Sequence, residues 1–178
     1  MSPKYTVRVK NFFFGLLPVL FILTPIFLQE PSAASLLPSG TSKAIDFSLE
    51  NIIDGKPVSL SAACDKVIVL EFGSRFCKPC MEMVPDLVKL YDTYKSSGLM
   101  IYKIDIDSDP DKQIMKNFAA EKKMSFPYLI GNRDIAKQYG VILLPTIFII
   151  DKDKNVVKKY IGYQSYNVLE ADFKSLNK

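Results

Sequence analysis

Val67-Ile68-Val69-Leu70-Glu71-Phe72 is a near-continuous apolar run, rich in β-branched residues, which suits a strand buried on both faces of a sheet. Such a strand needs a layer on each side, and the rest of the chain offers alternating elements to build them. Residues 99–106 predict a second strand, and residues 146–150 and 156–161 two more around the polar turn 151–155. Helical spacing joins Val84, Leu87, Val88, Tyr91 and Tyr94, and Gly98 ends it. Residues 109–124 predict a further helix capped by Asp109, with Ile114, Met115 and Phe118 inward. A shorter helix spans 133–139 before Gly140, and Leu169, Phe173 and Leu176 mark a closing one. Upstream, residues 46–50 and 57–60 read as short strands about the turn signal Asp54-Gly55. Strands and helices alternate early and a hairpin comes late, so the fold class is α/β, a mixed sheet flanked by helices.

The chain has 178 residues, which suits one domain and a short appendage. It contains no His, which removes Ser-His-Asp and Cys-His catalysis and any metal or haem site that needs imidazole. Its three cysteines are Cys64, Cys77 and Cys80, too few for a four-thiolate zinc site, so the chemistry left is that of thiols and carboxylates. The net charge is +4, of which Lys4, Arg8, Lys10 and Glu30 account for +2. The remainder is nearly neutral with its charges mixed, and no nucleic-acid surface is expected.

Residues 1–34 read as a signal peptide or signal anchor. A positive flank (Lys4, Arg8, Lys10) precedes the uncharged apolar run 12–28, and Ser32-Ala33-Ala34 offers small residues for cleavage. The flank puts the N-terminus in the cytoplasm and the rest of the chain outside it, in the periplasm or on the outer face of the cytoplasmic membrane. Residues 35–44 read as a flexible linker and 45–178 as the folded domain.

Cys77-Lys78-Pro79-Cys80 falls where the buried strand has ended and a helix starts. Two cysteines at this spacing can close a disulfide across the first turn, and the unpaired N–H groups of that turn, with the helix dipole, stabilise a thiolate at Cys77. Arg75 and Lys78 add positive charge nearby. Pro79 is tolerated because the first turn does not use its missing N–H.

From about residue 46 to 176 the chain resembles the thioredoxin-like superfamily, and within it the exported, membrane-tethered TlpA/ResA-type thiol-disulfide oxidoreductases. The resemblance rests on Glu71-Phe72 ahead of Phe76-Cys77-Lys78-Pro79-Cys80, on Pro85 in the helix after it, and on Gly140-Val141 leading to Leu144-Pro145-Thr146. Asp46-Phe47-Ser48-Leu49 with Asp54-Gly55-Lys56 matches the N-terminal β-hairpin of that branch. It implies a thioredoxin fold with that hairpin as an extension, Cys77 as nucleophile, Cys80 as resolving thiol, and a cis bond before Pro145 whose loop offers backbone to an extended substrate. Phe76, Lys78, Pro79, Leu144, Pro145 and Thr146 become the substrate-contacting residues. No metal and no cofactor beyond the Cys77–Cys80 disulfide is implied; the partners are a protein disulfide substrate and a membrane thiol electron donor.

Glu71 occupies the buried carboxylate position of thioredoxin, where many TlpA-type proteins carry Asn. Burial should raise its pKa and fit it as general base, through water, for the Cys80 thiol. On that basis Glu71→Gln should raise stability, whereas a structural pair with Lys103 predicts the opposite sign. Phe76 replaces the usual Trp, and Gly73-Ser74-Arg75 replaces the usual Trp-Ala-x, so the rim that partners touch differs. The Lys-Pro dipeptide lacks the His of strong oxidants and favours a reductant. A peroxiredoxin-like peroxidase would need its reactive Cys in a Pro-x-x-x-Thr/Ser-x-x-Cys setting, which the residues before Cys77 do not provide, and a copper-handling assembly protein would want a CxxxC and a distant His, neither of which is present. Cys64 reads as a free, half-buried packing residue. Met81 and Met83 read as core or surface positions, and Asp105-Ile106-Asp107-Ser108-Asp109 as a strand end and helix cap rather than a calcium loop.

Overall fold

The apolar run forms β4 (Val67–Gly73), every residue of which is buried. It lies at the centre of the sheet, parallel to β5 (Leu99–Asp105) on one side and antiparallel to β7 (Thr146–Ile150) on the other. The computed structural model describes residues 42–178; the expected signal or anchor at 1–34 and the linker up to residue 41 lie outside the described residues. Among the described residues no helix is long and apolar enough to cross a membrane.

Beyond β5 the sheet continues with β6 (Tyr128–Ile130), parallel to it, and then the hairpin of β2 (Ser48–Asn51) and β3 (Pro57–Ser59). Beyond β7 come β8 (Asn155–Ile161) and the two-residue β1 (Ser42–Lys43). The sheet order is therefore β1-β8-β7-β4-β5-β6-β2-β3. The N-terminal hairpin extends the sheet at one edge as expected, while β1 recruits Ser42 and Lys43 from the stretch read as linker.

Side chains alternate across β4, and this divides the core in two. Val67 and Val69 pack with α1 (Lys78–Tyr94) and α4 (Tyr166–Leu176) through Val84, Leu87, Leu90, Leu169 and Phe173, and with Met115 and Ala119 of α2 (Lys112–Glu121). Ile68, Leu70 and Phe72 face the other side, against Ile135 and Ala136 of α3 (Arg133–Gln138). Glu71 follows the alternation of Val67 and Val69, so its carboxyl enters the layer that carries α1.

Several predicted boundaries shift for local reasons. Asp111, and not Asp109, caps α2: its carboxylate accepts from the N–H groups of Gln113 and Ile114, free donors of the first turn. From that start Met115 and Ala119 face inward, and Ile114, expected in the core, is 53% exposed. β6 carries no sequence signal of its own: three residues between Pro127 and Gly131 are too few to show a period. α1 is followed by one 3-10 turn and stops at Gly98, whose φ of 99° suits glycine. Cys64 is a correction: it is exposed, its Sγ 3.7 Å from the Ser61 carbonyl. The chain turns there through Asp65 at φ 53°, so Ala63 fills the inward place.

Candidate active site

β4 ends at Gly73, and the loop 74–77 delivers Cys77 to the N-cap of α1 with an extended backbone, φ −89° and ψ 101°. Its Sγ accepts from the Cys80 N–H at 3.3 Å, so the sulfur occupies the place where a capping oxygen usually satisfies a free donor of the first turn. Cys77 and Cys80 are joined as a disulfide, Sγ to Sγ 2.02 Å. Cys77 is partly exposed and Cys80 fully buried, so an incoming group can reach only the first sulfur. The first turn holds no acidic residue to oppose a thiolate. The flanking cations are largely engaged elsewhere: Lys78 lies 3.5 Å from Glu82, and Arg75 Nε 3.5 Å from Asp107. The free N–H groups of the helix terminus add positive potential at Cys77.

The loop before Cys77 is stapled to the loop after β5. Ser74 donates its hydroxyl to Asp107 and accepts from the Phe76 N–H at 3.0 Å. Arg75 gives its backbone N–H to Asp107 at 3.3 Å and its Nη2 to the Asp109 carbonyl at 2.9 Å, while its guanidinium lies 4.8 Å from the centre of the Phe76 ring. Its Nη1 is buried with no partner among the described residues. Of the run 105–109, only Asp105 ends a strand; Asp107 does the stapling. Sequence reasoning misses this, because partners 32 residues apart share no local signal.

Glu71 and Lys103 face each other in the parallel register of β4 and β5, and Lys103 Nζ donates to Glu71 Oε2 at 2.7 Å with both side chains 0% exposed. Lys103 Nζ also lies 5.7 Å from the centre of the Tyr128 ring, and Tyr128 donates its hydroxyl to Asp105 at 2.7 Å. Burial pushes the Glu71 carboxyl above its ordinary range; Lys103 opposes the shift and Asp105 adds to it. Asp105 is raised by burial too, against the Tyr128 and Asp107 hydrogen bonds. Glu71 Oε1 is buried without a partner among the described residues. This corrects the stability expectation: Glu71 is half of a buried pair, so removing it alone strands Lys103 and should destabilise.

Gly73 makes room for the pair. A Cβ there would lie 2.4 Å from Glu71 Oε1 and 2.7 Å from Lys103 Nζ. Gly73→Ala is expected to displace both charges and cost about 1–3 kcal/mol, read as a lower urea midpoint at unchanged slope. A wild-type midpoint would show that the pair moves aside freely.

Leu144–Pro145 is a cis peptide bond. The Pro145 carbonyl accepts from the Gly162 N–H at 2.8 Å, and Thr146 donates its hydroxyl to the Leu143 carbonyl at 2.6 Å, while the N–H and C=O of Leu144 enter no hydrogen bond among the described residues. Leu144 and Phe76 line one cavity of about 470 Å³ with Asp107 and Arg133, so the loop before Pro145 and the dithiol loop share a surface. Pro145 and Thr146 are buried, while Phe76 at 78% and, in the loop before Pro145, Ile142 at 80% are exposed apolar residues.

Residues 41–159 match the AhpC/TSA family. The thiol-disulfide oxidoreductase ResA of Bacillus anthracis is 37% identical over 125 residues, 70% of this chain and 71% of that protein. The sporulation thiol-disulfide oxidoreductase A of Bacillus subtilis (strain 168) is 26% identical over 116 residues, 64% of this chain and 70% of that one. In fold, the chain is similar to a thioredoxin-family thiol:disulfide interchange protein of Chlorobium tepidum, with TM-score 0.70 at 24% identity over 80% of this chain and all of that one. The sheet order, the CxxC at the head of α1 and the sequence shared with ResA lead to the same place: the chain belongs to the AhpC/TSA family, as one of its thioredoxin-like thiol-disulfide oxidoreductases.

Proposed function

We propose that the protein reduces disulfides of partner proteins outside the cytoplasmic membrane and is itself re-reduced by a membrane thiol donor. The observation that carries the direction of attack is the contrast between a partly exposed Cys77 at the head of α1 and a sealed Cys80. In the reduced protein, the Cys77 thiolate attacks one sulfur of the partner disulfide; an S–S bond forms between Cys77 and the partner, and the other partner sulfur leaves as thiolate and takes a proton. Cys80, deprotonated through Glu71 and a water, then attacks Cys77 Sγ. The Cys77–Cys80 disulfide closes and the partner leaves with two electrons and two protons gained. Phe76, next to Cys77, shares a cavity with Leu144 of the Leu144–Thr146 segment, Lys78 and Pro79 lie at the helix start, and the backbone groups of Leu144, unbonded among the described residues, suit an extended polypeptide. Export rests on the basic flank and apolar run of residues 1–34.

The test is capture. A Cys80→Ser variant of the reduced protein should accumulate mixed disulfides through Cys77, released by dithiothreitol and identified by mass spectrometry, whereas Cys77→Ser should accumulate none. Capture through Cys64 instead would remove the dithiol from the mechanism.

A further inference from the structure

Between α1 and α2 runs a groove of about 310 Å³ that the thiol chemistry does not use. Phe76, next to Cys77, and Met81, next to Cys80, form its near wall; Ile114 and Phe118 of α2 form the far wall. Tyr128 lies at its base with its hydroxyl already given to Asp105. Among the described residues Arg75 is the only charged one lining it, and that charge is answered by Asp107. We infer that this groove receives an aliphatic or aromatic side chain of the substrate polypeptide, carried within a few residues of the cysteine that Cys77 attacks, and that Arg75 is the positioning residue that holds Phe76 as its wall. The inference rests on the proposed reduction of protein disulfides.

Three features support that occupant. The groove begins at the residues flanking both cysteines, so a chain linked to Cys77 through sulfur passes its mouth. Its lining offers little to a polar group and much to an apolar one, and Ile114 is held out on a surface helix where solvent alone would favour a polar residue. Its size sits at the lower end of ligand pockets and fits one large side chain; a stable interface with a second copy would need about 800 Å² from each partner. The wall is held in place because Arg75, bound to Asp107 and the Asp109 carbonyl, lies against the Phe76 ring.

Two peptides with one intramolecular disulfide, identical except for Phe or Ser two residues from a cysteine, test this with the reduced full chain. The Phe peptide is expected to show a kcat/KM about tenfold higher or more, the scale on which a hydrophobic pocket discriminates. Ile114→Glu should bring that ratio below about twofold, while Ile53→Glu, on an exposed turn away from the groove, should preserve it. Arg75→Ala should raise KM for the Phe peptide and not for the Ser peptide, a split that a general loosening of the fold would not produce. Equal rates for the two peptides, or a preference that survives Ile114→Glu, would overturn the assignment. Failure of the wild-type protein to reduce either peptide is a separate result and would overturn the reductase reading itself.

Discussion

Glu71→Gln is expected to lower stability at neutral pH by about 3–5 kcal/mol and to slow resolution of the mixed disulfide roughly ten- to a thousandfold. The stability loss comes from Lys103, whose Nζ keeps its burial and loses the carboxylate 2.7 Å away. The rate loss comes from removing the proposed base for Cys80. The two effects separate in the double variant Glu71→Gln/Lys103→Met: replacing both partners of a buried pair is commonly neutral or stabilising, so stability should return while resolution stays slow. Chemical denaturation at neutral pH and stopped-flow decay of a trapped mixed disulfide measure both quantities. A variant that is destabilised yet resolves at the wild-type rate would leave the acid a structural role only.

Cys77→Ser is expected to abolish disulfide reduction, by roughly a thousandfold or more, while leaving the fold intact, since the residue caps a helix and serine is a favoured cap. The same geometry predicts the order of alkylation in the reduced protein. Cys77, partly exposed with its sulfur on the Cys80 N–H, should react at least about tenfold faster than sealed Cys80, with a rate midpoint below the ordinary thiol value of about 8.5. Cys64 is exposed and would react too, so the comparison belongs in a Cys64→Ser background. Faster labelling of Cys80, or a midpoint at or above the ordinary value, would reverse the roles of the pair.

The parts legible in the sequence are those with a period or a local chemical signature. The apolar run 67–72 announces a central strand, helical spacing announces α1, and Cys77-Lys78-Pro79-Cys80 announces a helix head bearing a dithiol, because these depend on residues within a turn or two of each other. Even the burial of Glu71 is readable from its apolar neighbours. What it is buried against is not: the choice between a solitary acid and a pair with Lys103 depends on the register of β4 on β5, and a slip of one residue would have turned Lys103 to the opposite face. The same holds for Gly73, whose missing Cβ matters only because two charges from neighbouring strands converge on it, and for Asp107, which staples the catalytic loop from 32 residues away. Cys64 and Ile114 point outward, against their hydrophobic character, because a positive φ at Asp65 and a cap at Asp111 set the phase of the chain around them. Local pattern thus determined which elements exist and where the thiols sit, while strand register and loop contacts decided the charge environment of Glu71 and of the loop before Cys77, since electrostatic energy in a buried layer depends on distances that no single segment specifies.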